Sequence, residues 1–235
     1  MTAQEAYDYV TPQSWAQTTV KARLALLKQV QNNLVKHAKA LGQAAAKMKN
    51  DLIGETVVTD AEGVGGTVLP MANTLMGIQR LYEALLKGKM PQPISTQKID
   101  PDLYAIQVFP QSSKDKLVAG KQRGFLHVEG TPKQVNPMDK PAGVIAISGA
   151  GNYSSSIEMA MALFLENKAV IHKPHQLNEA TDVIWEKIFA PLIDCRACAF
   201  FDMDLVRAMS ALEGLHAIYF TGSTPVAHAI QLAAC

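Results

Sequence analysis

The stretch from Pro141 to Gln176 constrains the fold of this chain more than any other part of the sequence. It opens with an uninterrupted apolar run, Val144 to Ile147, which is typical of a strand covered on both faces. A glycine-containing turn, an apolar segment of helical length and a second apolar run ending at Lys173 follow. Because two parallel strands need such a crossover between them, the stretch predicts a strand–helix–strand unit of a parallel sheet.

A related pattern lies near the end of the sequence. The segment from Leu215 to Thr224 predicts another buried strand that runs into a small, hydroxyl-rich turn, and Pro225 suits the start of the next helix. Gly222 and Ser223 in that turn can offer backbone amides and a hydroxyl to a phosphate group. We therefore predict an α/β fold with a Rossmann-like parallel sheet, flanked by helices, that holds a nucleotide.

The glycine turn after the first strand departs from the usual dinucleotide fingerprint. Gly149 and Gly151 allow a tight turn, but the pattern G-x-G-x-x-G needs a third glycine where Ser154 stands. It also needs an acidic residue about twenty positions further on to bind a ribose. That position holds Ile171, and the strand ends at the basic Lys173. The sequence therefore predicts a nucleotide held in a different way.

The first part of the chain, residues 1–88, is expected to be helical and to belong to the nucleotide-binding domain. Apolar residues recur at steps of three and four across residues 14–50, which predicts a pair of amphipathic helices. Three glycines within residues 63–66 are interpreted as a break. Residues 67–86 then predict a further helix with Pro70 in its first turn.

Residues 89–140 are expected to form an arm that stands apart from the sheet. Alternating runs at residues 103–109 and 124–130 predict antiparallel ribbon strands. A ribbon is marginally stable alone, so residues 90–135 are expected to pack against another subunit or domain. Four basic residues between positions 114 and 123 are interpreted as a solvated strand edge rather than a nucleic-acid site, because no aromatic residues alternate with them.

Charge and composition exclude several classes of partner. The net charge is +1 and the pI about 7.7, so no global field attracts nucleic acid or an acidic membrane. The N-terminus has no signal-peptide pattern and no apolar run is long enough to span a bilayer, so a soluble, cytoplasmic protein is expected. Cys195 and Cys198 form a single C-x-x-C without a second pair, which predicts no metal site.

Three blocks of the sequence resemble the aldehyde dehydrogenase superfamily. PAGVIAISGAGN, residues 141–152, is similar to the strand that leads to the family's asparagine. VIHKPHQ, residues 170–176, is similar to its V-x-x-K-P-S-E block, and IYFTGSTPVA, residues 218–227, to its F-T-G-S-T-x-x-G block. The helices at residues 18–50 and the ribbon at residues 90–135 take the places of the family's N-terminal region and oligomerisation hairpin.

The resemblance implies NAD or NADP as cofactor and assigns roles to individual residues. Lys173 and Gln176 would lie at the adenosine ribose, and Ser223 near the pyrophosphate. Asn152 would donate an amide hydrogen to the oxyanion formed from the substrate carbonyl, whereas its alternative interpretation is a turn asparagine that tolerates left-handed geometry. The complete set of expected cofactor-binding residues is Ser148, Gly149, Lys173, Gln176, Gly222 and Ser223.

Three positions depart from the family's pattern. Gly151 stands where an aromatic residue is usual, and Ala227 replaces a glycine. Gln176 stands where a ribose-binding glutamate is usual, which removes a charge that would repel a 2′-phosphate. We therefore hypothesise that NADP is tolerated better than in enzymes specific for NAD.

The implied activity is NAD(P)-dependent oxidation of a small aldehyde to a carboxylic acid through a cysteine thiohemiacetal. In the family, the nucleophilic cysteine and the basic glutamate lie well downstream of the block at residues 218–227, and Cys235 is too close to be that nucleophile. The chain is therefore expected to be a truncated, cofactor-binding portion, with residues 141–235 an incomplete Rossmann-like segment, and to be inactive alone. The alternatives are an acyl-CoA-reducing relative and a catalytically dead nucleotide-binding or interaction module.

Overall fold

The computed structural model describes residues 1–151, 154–202 and 206–233, which divide into two compact units. The larger unit contains Met1–Leu86 and the described residues from Pro137 onward. The smaller unit is Lys87–Asn136. Each unit has its own sheet.

The described residues form helices and strands in the following order. The helices are α1 (Ala3–Tyr9), α2 (Pro12–Gln17), α3 (Val20–Ile53), α4 (Asp60–Leu86), α5 (Ser113–Ala119), α6 (Ser156–Phe164), α7 (Glu179–Asp194), α8 (Val206–Ser210) and α9 (Thr224–Ala233). The strands are β1 (Ser95–Asp100), β2 (Leu103–Phe109), β3 (Gly124–Glu129), β4 (Val144–Ser148), β5 (Ala169–Lys173), β6 (Cys198–Phe200) and β7 (Ala217–Phe220). Short 3₁₀ turns span Pro137–Asp139 and Gln176–Asn178.

The larger unit contains a parallel sheet with strand order β6-β5-β4-β7. The chain moves outward from β4 through β5 to β6 and then returns to place β7 on the other side of β4. This order confirms the predicted Rossmann-like α/β fold. It also puts the reversal of strand order between β4 and β7, which is where open α/β sheets bind their ligands.

Both faces of this sheet are buried. Ile145, Ile147 and Val170 pack in one hydrophobic core with residues of α3, α4, α6 and α7. Ala146 and Ile171 point to the other face, where residues of α1 and Met209 of α8 form a second core. Side chains alternate between faces along a strand, so burial on both sides explains the continuous apolar runs of β4 and β5.

The helices before the sheet differ from the sequence prediction. Instead of a pair, α3 is one continuous helix of 34 residues, and α4 includes the glycines of residues 63–66 and Pro70 in its interior. Thr59 and Glu62 exchange hydrogen bonds that cap the start of α4. A side chain on Gly63 would overlap the carbonyl group of Gly42 in α3. Gly63 therefore allows close helix packing, and the three glycines lie within α4 and do not mark a break.

A buried arginine connects three of these helices. Arg23 of α3 is fully buried and donates to the carbonyl oxygen of Trp15 at 2.6 Å and to the Tyr82 hydroxyl at 3.1 Å. It also donates to the Oδ1 atom of Asn167, between α6 and β5, and its guanidinium lies 4.2 Å from the centre of the Trp15 ring. Among the described residues, no carboxylate lies within ion-pair distance of it.

The smaller unit contains an antiparallel sheet of order β1-β2-β3. Strands β2 and β3 confirm the two predicted ribbon strands. Strand β1 has the polar sequence STQKID and was not predicted, because it lacks an alternating apolar pattern. Helix α5 lies between β2 and β3, and a capping box of Ser112 and Asp115 starts it.

None of the helices in the described segments has both the length and the apolar character that crossing a bilayer requires.

Candidate dinucleotide-binding site

The predicted cofactor residues lie at the carboxyl ends of the central strands. Ser148 ends β4 and is the register partner of both Lys173, which ends β5, and Phe220, which ends β7. The backbone amide of Gly149 donates to the carbonyl oxygen of Lys173 at 2.8 Å. The structure therefore brings Ser148, Gly149 and Lys173 together, at the edge where the strand order reverses.

Lys173 is a largely buried lysine that has no polar partner among the described residues. Its side chain is on the same sheet face as that of Ser148, and the residue is 9% exposed. No described residue accepts a hydrogen bond from its ammonium group, and no described carboxylate pairs with it. Burial lowers the pKa of this lysine, since removal from water disfavours the charged form. An ammonium group in such surroundings is stabilised by a ligand that supplies hydroxyl or phosphate oxygens.

The glycine turn after β4 is packed closely against the segment that follows β5. A β-carbon on Gly149 would lie 3.0 Å from the backbone nitrogen of His175 and 3.1 Å from the carbonyl oxygen of Lys173. The side-chain amide of Asn178 donates to the carbonyl oxygen of Ala150. This part of the turn is therefore fixed by the backbone and side chains around residues 173–178.

Asn178 was not among the site residues predicted from the sequence. It occupies the N-cap position of α7, but its side chain makes no capping hydrogen bond. Instead, its amide binds the glycine turn, and its backbone oxygen accepts a hydrogen bond from the Thr181 hydroxyl at 2.8 Å. Its residue type fits both roles equally, so only the tertiary structure distinguishes them.

The remaining predicted cofactor residues are exposed. Gln176 begins the 3₁₀ turn three residues beyond Lys173, and its side chain faces solvent. Gly222 and Ser223 follow the end of β7, so they lie at the same edge of the sheet as Ser148. A side chain on Gly222 would overlap the ring of Phe220. The carbonyl oxygen of Ser223 accepts from the Ala227 amide at 3.0 Å, at the first turn of α9.

The predicted oxyanion donor, Asn152, lies outside the described residues, and so does Cys235. Cys195 follows α7 and Cys198 begins β6, which places both at the amino-terminal edge of the sheet, opposite to the glycine turn. Burial raises the pKa of both thiols. Across residues 1–151, 154–202 and 206–233, no three His, Cys, Asp or Glu side chains are grouped as ligands for a metal ion.

Comparisons with known proteins identify the fold. No protein-family profile matches the sequence, and no curated protein matches it. Solved structures do match. An aldehyde dehydrogenase from Bartonella henselae shares 12% sequence identity with a TM-score of 0.62, over 99% of this chain and 41% of that enzyme.

Two further structures were solved with a cofactor. An aldehyde dehydrogenase mutant from Pseudomonas syringae, in complex with NAD⁺ and octanal, shares 13% identity with a TM-score of 0.61, over 99% of this chain and 40% of that one. A glyceraldehyde-3-phosphate dehydrogenase from Methanocaldococcus jannaschii, in complex with NADP, shares 12% identity with a TM-score of 0.55, over 100% of this chain and 44% of that one. The chain thus has the fold of part of these enzymes and spans less than half of their length.

Proposed function

We propose that this chain forms the NAD- or NADP-binding portion of an aldehyde dehydrogenase. The observation that carries the proposal is Lys173, a largely buried lysine with no polar partner among the described residues, beside a glycine turn at the reversal of strand order. Further support comes from the shared fold, since two of the matched enzymes were solved with NAD⁺ or NADP. The three sequence blocks fall at the carboxyl ends of β4, β5 and β7, where such a cofactor would bind.

The proposed binding mode uses both the buried and the exposed residues of this edge. Lys173 donates hydrogen bonds to the hydroxyls of the adenosine ribose, and Gln176 lies beside the same sugar. Gly222 and Ser223, which are exposed at the start of α9, bind the pyrophosphate through backbone amides and the serine hydroxyl. Ser148 and Gly149 form the floor between them.

The proposal is tested by calorimetric titration of the chain with NAD and with NADP, using Lys173→Met as the variant. Loss of one charge-assisted hydrogen bond of about 1.5–3 kcal/mol weakens binding roughly tenfold to a hundredfold. Lys187→Met is the matched control, since Lys187 is exposed on α7. Equal affinities for Lys173→Met and the wild type would contradict the proposed role of this lysine.

The same titration addresses cofactor preference. A glutamate beside the ribose would repel a 2′-phosphate, and this chain has Gln176 there. We expect NADP to bind with an affinity comparable to that of NAD. Measurable binding of NAD without any binding of NADP would refute this hypothesis.

The proposed reaction is oxidation of a small aldehyde to a carboxylic acid. A thiolate adds to the aldehyde carbon, and Asn152 donates a hydrogen bond to the oxyanion. NAD(P)⁺, which Lys173, Gln176 and Ser223 would hold, would supply the hydride acceptor, and water would release the carboxylic acid from the resulting thioester. Cys195 and Cys198 lie at the wrong edge of the sheet for this role. We therefore propose that the nucleophile is outside the described residues and that residues 1–235 alone do not oxidise aldehydes.

Two alternatives predict different results for the complete gene product. An aldehyde dehydrogenase reduces NAD(P)⁺ when an aldehyde is added, which nicotinamide absorbance reports. An acyl-CoA-reducing relative instead oxidises NAD(P)H when an acyl-CoA is added. A nucleotide-binding or interaction module without catalytic activity gives neither signal but still binds the cofactor.

We also propose that residues 90–135 mediate homo-oligomer formation. The smaller unit exposes apolar side chains on β1 and β3, including Ile99, Phe125 and Leu126. Phe125 and Leu126 lie on opposite faces of β3, so each is replaced with lysine separately, and the variant whose face is buried in the contact is expected to lower the oligomer mass measured by light scattering. An unchanged mass would argue against this surface.

A further inference from the structure

A buried histidine and a buried aspartate lie behind the glycine turn. His172 precedes Lys173 in β5, so its side chain points to the opposite face of the sheet. His172 is fully buried and Asp182, in the first turn of α7, is 2% exposed. The His172 Nε2 and Asp182 Oδ1 atoms are 3.6 Å apart, and none of the four polar atoms of the two side chains has a hydrogen-bond partner among the described residues.

Both residues are in contact with the elements that hold the turn. A β-carbon on Gly149 would lie 3.3 Å from the Cε1 atom of His172, so the imidazole ring packs directly beneath this glycine. The Phe200 ring packs edge-on against the imidazole, with the ring centres 5.1 Å apart. Asp182 lies one turn beyond Asn178, whose side chain binds Ala150. A displacement of either polar group would therefore move the glycine turn.

The charge state of this pair depends on one proton. Burial raises the pKa of the Asp182 carboxyl, because the ionised form loses its hydration. Removing the proton leaves a buried negative charge that accepts no hydrogen bond from the described residues and has the His172 Nε2 atom 3.6 Å away.

The charged and titratable groups near the pair come from α7, from the chain after β5 and from α3, whose Lys49 lines a small cavity together with Asn178 and Thr181. Glu186 lies one turn further along α7, and burial and the nearby Asp182 both raise its pKa. His175 follows β5 and interacts favourably with the carboxylate, while Lys173 is on the other face of the strand. Strand β6 contributes the uncharged Phe200, and residues 149–151 of the glycine turn have no ionisable side chain.

We propose that His172 and Asp182 are positioning residues for the dinucleotide site. With its proton, the pair keeps the imidazole beneath Gly149 and holds the turn in the geometry that receives the cofactor. Loss of the proton displaces the pair and loosens the turn, so that cofactor affinity falls at higher pH. This inference rests on the proposed function, and it concerns how the site is supported rather than what touches the cofactor.

The first test measures the affinity for NAD by calorimetry from about pH 5 to about pH 9, a range that begins above the ordinary carboxyl pKa of about 3.9, because burial raises the pKa of Asp182. One linked proton changes affinity by at most about tenfold per pH unit, and we expect the wild type to bind roughly threefold to tenfold more weakly at the upper end. Asp182→Asn carries no titrating proton there, so its profile is expected to be flatter. Asp194→Asn, at the exposed end of the same helix, is expected to follow the wild type.

Titration of Lys173 itself is common to all three proteins, so the difference between their pH profiles isolates Asp182. Parallel profiles for the wild type and Asp182→Asn would overturn the inference. If Asp182→Asn fails to fold, Asp182→Leu provides the same comparison, because it also removes the titrating carboxyl while keeping a similar side-chain volume.

A second test needs no cofactor. Amide hydrogen exchange reports the protection factors of residues 149–151 in the free proteins, after correction for intrinsic exchange. We expect protection to fall with rising pH in the wild type and to stay constant in Asp182→Asn, and the same pH dependence in both would overturn the inference. If none of the proteins binds NAD or NADP, the proposed function fails, while hydrogen exchange still decides whether the pair positions the turn.

Discussion

Arg23 provides the sharpest test of how the helices are held to the sheet. Its substitution by methionine keeps much of the side-chain volume but removes every hydrogen-bond donor. The wild-type guanidinium donates to the Trp15 carbonyl, the Tyr82 hydroxyl and Asn167. Tyr82 retains its own hydrogen bond to the Phe164 carbonyl, at 2.7 Å, when the arginine is removed. Trp15 and Asn167 each lose an acceptor interaction within the core.

The expected loss of stability follows from these contacts. Two buried acceptors without donors cost about 1–3 kcal/mol each, or roughly 2–6 kcal/mol in total. Removing the guanidinium offsets part of this, because a buried charge without a carboxylate is itself unfavourable, and its Nε atom has no hydrogen-bond partner. We expect the free energy of unfolding to fall by about 2–4 kcal/mol. At about 2–4 °C per kcal/mol, the melting temperature falls by roughly 4–16 °C.

The assay is thermal unfolding of wild type and Arg23→Met, followed by far-ultraviolet circular dichroism. Lys28→Met is the matched control, since Lys28 is an exposed cation on the same helix, and its melting temperature should change little. Combining Arg23→Met with Tyr82→Phe measures the coupling through the hydroxyl, which is expected to be about 0.5–3 kcal/mol for residues in contact. A variant Arg23→Met as stable as the wild type would refute the reasoning, because the cost of the buried charge would then equal everything its hydrogen bonds contribute.

Two further predictions concern packing and accessibility. Gly63→Ala should destabilise the chain by about 1–3 kcal/mol, because the new methyl group overlaps the Gly42 carbonyl. Gly65→Ala, with open space around the added β-carbon, should stabilise it by about 0.5–1 kcal/mol, and urea unfolding that ranks the two variants in the opposite order would contradict the helix contact. An alkylating reagent should label exposed Cys195 in the native protein and Cys198 only after unfolding, as peptide mass spectrometry would report.

The parallel sheet could be predicted from the sequence because its strands are buried on both faces. Burial on both sides produces continuous apolar runs such as Val144 to Ile147. The helix between β4 and β5 indicates a right-handed crossover between two parallel strands. Strand β1 was missed for the opposite reason. Its residues are mostly exposed, so hydrogen bonds to β2 form it, without an apolar pattern that the sequence could reveal.

The α3–α4 packing could not be predicted because a glycine in a sequence can either interrupt a helix or allow two helices to pack closely. Glycines within residues 63–66 lower helix propensity, which favours a break. In the structure, Gly63 instead permits α4 to approach Gly42 of α3 so closely that a β-carbon would not fit. The contact joins residues 21 positions apart on different helices, so propensity along one segment contains no information about it. Arg23 is similar, because its acceptors come from three other parts of the chain.

Two consecutive residues of β5, His172 and Lys173, have different roles in the candidate site. Alternation sends the side chains of His172 and Lys173 to opposite faces of the sheet, so neighbouring residues serve different environments. Lys173 faces the edge where a ligand would bind, and the sequence block identified it because its position relative to strand and proline is a local feature. His172 faces Asp182 and the underside of Gly149, and these contacts exist only after the crossover folds. A substitution at His172 should therefore affect the cofactor through the turn, whereas one at Lys173 acts on the cofactor directly, and the pH dependence of binding separates the two effects.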